Sequence, residues 1–342
     1  MDLQSLPVDI LEHILLRSLD SPRCLIRASS TCKLWRQIIA DTIFLQRFRS
    51  LHEPPVVVST FSGRWKIWDS RGSLLLLDYA IERGGFFNRD MFICEPLTRR
   101  YHKISPPTAS PRKYGLEAFL LDGGEPGHIG MSNFRLLYMY QIGHTASIFT
   151  SGGLWRKLSI DDVNQGTMYT EYLGAAAGSM YWYADSIKTV YALDPSDADA
   201  GFSSSLLTDD VENALITSKC AVTGRDSKAR ILFLEGYDNL KIFARQESSR
   251  GSSDWVMEKS IQLSAAILGV PSCERCFVSA LSAETIGIVQ ILFFTGQTGG
   301  EEPAFRLDIE TKQLARTPNV TAGHPIKLPW PPSLHACTDP AN

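Results

Sequence analysis

The hydrophobic pattern of the chain changes near residue 52. Before it, apolar residues recur at helical spacing, and Val8, Ile10, Leu11, Ile14, Leu15, Leu16 and Leu19 form one broad stripe. Pro7 lies where a first helical turn tolerates it, and Asp9 and Glu12 suit the positive end of a helix dipole. Asp20-Ser21-Pro22 punctuates the chain, with Ser21 as the cap and Pro22 as the first residue of a second helix carrying Leu25, Ile26 and Ala28. A third helix holds Cys32, Leu34, Trp35, Ile38 and Ile39, and Asp41 or Thr42 caps a last short turn with Phe44, Leu45 and Phe48. So small a helical unit cannot hide the whole first stripe, and the surplus predicts a covering surface, either the rest of this chain or another protein.

From Val56 onward the period shortens to that of strands. Val56–Thr60, Ser73–Ala80, Leu136–Gln141, Met180–Asp185, Lys188–Asp194, Ile231–Glu235, Leu240–Arg245, Ile286–Thr295 and Ala304–Ile309 are rich in β-branched and aromatic residues and bounded by turn formers. Two kinds of unit recur. One is an alternating strand ending in an acid: Met91–Glu95, Val190–Asp194 and Ala304–Asp308. The other is an apolar strand, a loop and a Trp-led strand: Leu136–Ile142 with Trp155–Ile160, and Leu240–Ala244 with Trp255–Ile261. Glu95 and Asp194 lie 99 residues apart, Trp155 and Trp255 lie 100 apart, and the two kinds interleave. Units of about 50 residues predict a propeller-like array of four-stranded blades. Five are visible, and Val56–Asp69, with Trp65-Lys66-Ile67-Trp68, offers strands for a sixth. Pairing N- and C-terminal strands would close the ring and remove exposed edges. The fold class is therefore α+β and multidomain: three small helices, then an all-β propeller-like domain of five to six blades.

Composition narrows the functions. The 34 Lys and Arg against 37 Asp and Glu argue against a nucleic-acid partner held by phosphate neutralisation. No 18-residue apolar run is present, and Asp9, Glu12 and Arg17 break any secretory pattern, so no membrane partner is expected and the chain reads as cytoplasmic or nuclear. Seven scattered cysteines are no disulfide framework, and Cys273 with Cys276 is a lone C-x-x-C. The histidines lack i+4 partners, no phosphate loop, nucleophile elbow or dinucleotide fingerprint occurs, and Asp161-Asp162 and Asp209-Asp210 read as solvated turns. No metal, cofactor or catalytic residue is expected, and the chain reads as a non-enzyme.

Leu6-Pro7-Val8-Asp9-Ile10-Leu11, the pair Ile14-Leu15, Leu25-Ile26-Arg27-Ala28-Ser29 and Cys32-Lys33-Leu34-Trp35-Arg36 resemble an F-box in order and spacing, with Thr31 where Val is usual. The trailing Phe44–Pro55 is similar to plant, especially grass, F-box proteins. The resemblance implies docking on a Skp-type adaptor and, through it, on a cullin scaffold of a ubiquitin ligase. Carried over residue by residue, it implies that Leu6, Pro7, Ile10, Leu11, Ile14, Leu25 and Cys32 meet the adaptor, with Trp35 serving either that interface or the local core. Glu95-Pro96-Leu97-Thr98-Arg99-Arg100 resembles the Asn/Asp-Pro-x-Thr-basic turn of plant F-box-associated β domains, departing in its first residue. The expected division is an F-box at 1–55, a β domain at 56–322 and a Pro-rich tail at 323–342, the last a strap or a disordered end.

The leading function is a ligase substrate receptor whose β domain holds a target protein, through loops such as Gly123–Asn133, Ser196–Ser205 and Gln246–Asp254. One alternative is a carbohydrate- or small-molecule-binding propeller, whose sign would be Trp65, Trp155, Trp182 or Trp255 lining one concavity. The other is an F-box adaptor working outside a ligase.

Overall fold

The computed structural model describes residues 7–19, 22–51, 56–57, 65–71, 74–83, 86–95, 100–107, 116–121, 129–140, 145–158, 169–198, 201–207, 216–236, 238–247, 253–263, 275–280, 286–294, 303–317 and 326–327. The helical unit has four helices rather than three: α1 (Val8–Ser18), α2 (Pro22–Thr31), α3 (Lys33–Ala40) and α4 (Thr42–Leu51). The last stretch extends to ten residues because its apolar positions continue and its start is well capped. Asp41 Oδ1 accepts from the N–H groups of Ile43 at 2.8 Å and Phe44 at 3.1 Å. Pro7 precedes α1 as its cap residue, its carbonyl accepting from Ile10 and Leu11. Cys32 breaks α2 from α3 and caps the latter, its Sγ accepting from the Trp35 N–H at 3.4 Å.

The β region opens with β1 (Val56–Val57) and continues as five four-stranded antiparallel sheets, each made of consecutive strands. The first holds β2 (Trp65–Arg71), β3 (Leu74–Arg83), β4 (Phe86–Glu95) and β5 (Arg100–Ile104). The second holds β6 (Leu116–Leu121), β7 (Arg135–Tyr140), β8 (Thr145–Thr150) and β9 (Trp155–Leu158). The third holds β10 (Thr170–Ala176), β11 (Ser179–Ala184), β12 (Thr189–Leu193) and β13 (Ser203–Leu206). The fourth holds β14 (Ile216–Thr223), β15 (Ala229–Glu235), β16 (Asn239–Glu247) and β17 (Ser253–Gln262). The fifth holds β18 (Arg275–Ala280), β19 (Ile288–Phe294), β20 (Ala304–Asp308) and β21 (Leu314–Thr317). Among the described residues no sixth four-stranded sheet forms, because Trp65–Trp68 belongs to the opening strand of the first. β1 instead pairs with β22 (Ile326–Lys327), Val56 opposite Lys327 and Val57 opposite Ile326. The two ends of the β region thus meet, and two residues assigned by sequence to the tail are part of a ladder.

Apolar side chains on facing sheets knit neighbours together. Leu76, Met91 and Ile93 of the first sheet pack with Leu136, Tyr138 and Phe149 of the second. Leu137 and Ile148 meet Trp182 and Leu193 across the next joint. Tyr183 and Val190 meet Phe233 and Trp255, and Leu232 and Ile242 meet Val289 and Phe293. Side chains that alternate across a strand give every sheet two such faces.

The 100-residue period now has a structural meaning. Glu95 ends, and Asp194 and Asp308 follow or end, the third strands of the first, third and fifth sheets. Trp155 and Trp255 lie in the fourth strands of the second and fourth. Trp155 Nε1 donates to the Ser105 carbonyl at 3.0 Å, and Trp255 Nε1 to Ser205 Oγ at 2.9 Å, each reaching back to the preceding sheet. Asp194 Oδ1 accepts from the N–H (2.8 Å) and hydroxyl (2.6 Å) of Ser196, which hold its carboxyl below the usual range. At Asp308 burial pushes upward, but the N–H groups of Thr311 and Glu310 outweigh it and the carboxyl again lies low. Asp194 and Asp308 pin turns in the third and fifth sheets, and the tryptophans pin even sheets to odd ones. Ala177 and Gly178, both at positive φ, make the two-residue turn between β10 and β11, a conformation that disfavours a larger residue at Gly178.

Asp69 lies at the joint between the first two sheets, Oδ2 accepting from the Leu120 N–H at 2.8 Å and Oδ1 from the Ser70 N–H at 2.7 Å. Burial raises its pKa to about 6, against the pull of those N–H groups and of Arg71. A folded-state pKa raised above the unfolded value means that the folded chain holds this proton more tightly. The group's contribution to stability is therefore greatest below pH about 4 and is lost as pH rises through about 6. Thermal melts of Asp69→Asn are expected to lose that part of the pH dependence between pH about 4 and about 7.

Trp255 is almost fully buried, whereas Trp155 is half-buried. Trp255→Ala is expected to cost about 3–5 kcal/mol in urea denaturation. Trp255→Phe, which loses mainly the bond to Ser205, should cost about 1 kcal/mol. Trp155→Ala should cost less than Trp255→Ala.

Candidate docking surface on the helical unit

The four helices enclose a core of their own, in which Leu11, Leu15, Leu25, Ile39, Phe44 and Phe48 are all but inaccessible. Phe44 and Phe48, one turn apart on α4, stack at 6.1 Å. Arg47 of α4 pairs with Glu12 of α1 at 2.9 Å, fixing the two helices side by side. With the interior filled, the remaining apolar side chains face outward. Val8, Ile10 and Ile14 on α1 are 52%, 49% and 44% exposed, and Ile43 and Leu51 on α4 are 58% and 62% exposed.

Helical geometry arranges these residues in rows. Ile10 and Ile14, one turn apart, lie on a side of α1 about 100° round the helix from the buried Leu11 and Leu15. Ile43, Arg47 and Leu51 follow one another at four-residue steps along α4, in the row whose Arg47 reaches Glu12. Burying the exposed part of one such aliphatic side chain is worth about 1 kcal/mol. Together the five offer several kcal/mol to a partner that covers them.

The sequence-derived adaptor contacts divide into two groups. Pro7, Ile10, Ile14 and Cys32 lie at the surface. Leu11 and Leu25 lie inside the core, where they hold the helices that present the others. Trp35 is half-buried against that same core, on the helix that Cys32 caps. Leu6 falls outside the described residues. Val8, Ile43 and Leu51 were not among the adaptor contacts read from sequence, although Val8 belonged to the first apolar stripe and the four-residue steps from Ile43 to Leu51 carried the signal.

The tryptophans of the carbohydrate reading do not converge. Trp182 and Trp255 are buried in different joints between sheets, Trp155 packs in a third, and Trp65 makes an edge contact with Phe92 at 5.2 Å. Among the described residues no three His, Cys, Asp or Glu side chains group as metal ligands, and no helix is long and apolar enough to cross a membrane. Cys276 is buried between the fourth and fifth sheets, and Cys273 lies outside the described residues, as do both acid pairs. The three loops named from sequence fall partly outside them too. By topology they join first to second or third to fourth strands, turns that leave a sheet by the same end.

Residues 3–51 match the F-box-like family model, so the helical unit is an F-box-like domain. No curated protein matches the chain. Among solved structures it is similar to a fucose-binding lectin of Aleuria aurantia, crystallised with Fucα1-6GlcNAc, at 13% identity and TM-score 0.40 over 78% of this chain and 80% of that one. It is also similar to a puromycin-hydrolysing peptidase of Mycobacterium tuberculosis, at 8% identity and TM-score 0.46 over 74% of this chain and 38% of that one. A third is the virginiamycin B lyase of Staphylococcus aureus, an inactive variant with quinupristin, at 10% identity and TM-score 0.38 over 79% and 89%.

The two groups of side chains should behave differently on substitution. Leu11→Ala and Leu25→Ala are each expected to cost about 2–5 kcal/mol of helical-unit stability. Ile10→Ser and Ile14→Ser should stay within about 1 kcal/mol. Chemical denaturation followed by far-ultraviolet circular dichroism of the full chain separates them.

Proposed function

We propose that this chain is a substrate receptor of a Skp–cullin–F-box ubiquitin ligase. The observation that carries the reading is the F-box-like domain at residues 3–51, together with the outward row of aliphatic side chains that its own core leaves uncovered. In this reading Val8, Ile10 and Ile14 enter the adaptor, with Pro7, Cys32 and the edge of Trp35 beside them, while Leu11 and Leu25 keep the helices in place. Leu6 precedes α1 and belongs to the same contact. The adaptor links the chain to a cullin scaffold, and the β domain holds the protein to be modified. The isopeptide bond to ubiquitin forms elsewhere in the complex. This chain then works by proximity and orientation and is not itself catalytic. It would act in the cytoplasm or nucleus.

The helical and β parts have separate tasks in this reading, which a truncation tests. Residues 1–55 should capture a purified Skp-type adaptor, residues 56–342 should not, and a target recovered with the full chain should be retained only by residues 56–342. Ile10→Glu/Ile14→Glu in the full chain should weaken adaptor binding by at least about 100-fold, since two charges would be buried without partners. Isothermal titration measures this. Unaltered affinity in that variant, or no adaptor bound by the intact chain, would sink the reading.

A further inference from the structure

The outer strands of the first two sheets carry one sign of charge. β5 reads Arg100-Tyr101-His102-Lys103-Ile104 and β9 reads Trp155-Arg156-Lys157-Leu158, so five of nine residues are Arg, His or Lys and none is acidic. All five of those side chains are exposed. Lys103 is paired with Asp90 at 2.8 Å. Tyr101, 72% exposed, shares a face of β5 with Lys103, and Leu154, 74% exposed, directly precedes β9. The bond from Trp155 Nε1 to the Ser105 carbonyl sets the start of β9 near the end of β5, so the basic residues of two neighbouring sheets lie on adjacent edges.

Edge strands commonly carry charge to block unwanted pairing. That need is met without a single sign elsewhere in this molecule. β13 is Ser-rich and uncharged, β17 mixes Asp254 and Glu258 with Lys259, and β21 has Arg316 alone. The concentration of positive charge on two adjacent sheets, in a chain of net charge −3, selects for negative charge. Among the described residues β5 and β9 are also terminal strands of their sheets, and an extended peptide can lengthen a sheet there through its backbone. A nucleic acid has no such backbone.

We propose that the β5–β9 edge is an interaction surface for an acidic, extended segment of a partner protein. The inference rests on the receptor reading, and it names the chemistry of the target: carboxylates facing Arg100 and Lys157, alternating with β-branched apolar residues that keep the segment extended.

The test uses the full chain. Fluorescence anisotropy follows a labelled peptide of about ten residues alternating glutamate and valine. Its lysine–valine counterpart, a glutamate–proline peptide and a thymidine oligonucleotide of similar length serve as comparisons. The glutamate–valine peptide is expected to bind, with affinity falling steeply between about 50 and about 300 mM salt. Arg100→Glu/Lys157→Glu should weaken it about tenfold or more, while Arg316→Glu leaves it within about twofold. The lysine peptide should not bind, and the glutamate–proline peptide should bind about tenfold less tightly because proline cannot supply the ladder N–H. All these sites are exposed, and unchanged thermal melting establishes that the variants fold. No binding of the glutamate–valine peptide, equal binding by the double variant, or equally tight binding of the oligonucleotide overturns the proposal. Adaptor capture is measured on the same preparations. A chain that captures the adaptor but not the peptide loses this inference and keeps the receptor reading. One that binds the peptide but no adaptor keeps the edge and loses the receptor reading.

Discussion

A four-stranded sheet with two apolar faces cannot hide both by itself. β15 is buried at every position but its last, and β11 at every position but its first. Each sheet therefore needs a neighbour on either side, and among the described residues four successive inter-sheet cores provide both for the second, third and fourth sheets and one each for the first and fifth. Stacking in chain order follows because short connections keep consecutive sheets adjacent. The β1–β22 ladder then ties the beginning of the β region to its end, with β22 resting against β2.

The unit of repetition is a pair of sheets rather than one. An indole N–H turned toward the protein needs an acceptor, and in both even sheets it finds one on or just past the outer strand of the sheet before, at Ser205 or Ser105. In the odd sheets the carboxylates of Asp194 and Asp308 satisfy turn N–H groups that no ladder bond reaches. These polar contacts sit at sheet margins, where they fix the position of one sheet on the next while dispersion and burial hold the interior.

The helical unit meets the same constraint at a smaller scale. Its four helices satisfy one face of α1 with Leu11, Leu15 and Leu16, and leave Val8, Ile10 and Ile14 outside. The two regions thus present different chemistry: an aliphatic row on the helices, and on the β body a basic edge of Arg, His and Lys. Aliphatic rows favour tight contact with one fitted partner, and charged edges favour selection among extended chains. Such a contrast suits a protein that is anchored at one end and reads a second protein at the other.

The helix-to-strand change near residue 52, the Trp and acid repeats, and the outward surplus of apolar residues on α1 were legible in the order of residues, because local periodicity and turn chemistry depend on near neighbours. The F-box-like segment was legible too, since its spacing is itself the signal. Tertiary structure decided the rest. The count of five sheets depends on Trp65–Arg71 pairing with Leu74–Arg83, a choice between long-range partners. The burial of Leu11 and Leu25, against the exposure of Ile10 and Ile14, depends on which side of each helix meets α4 and α3. The two basic edges are neighbours because the first two sheets pack on one another, with one indole hydrogen bond between residues 50 apart at their margin. A sequence fixes which side chains are available. Only packing, which must cover two faces of every sheet at once, decides which of them remain outside.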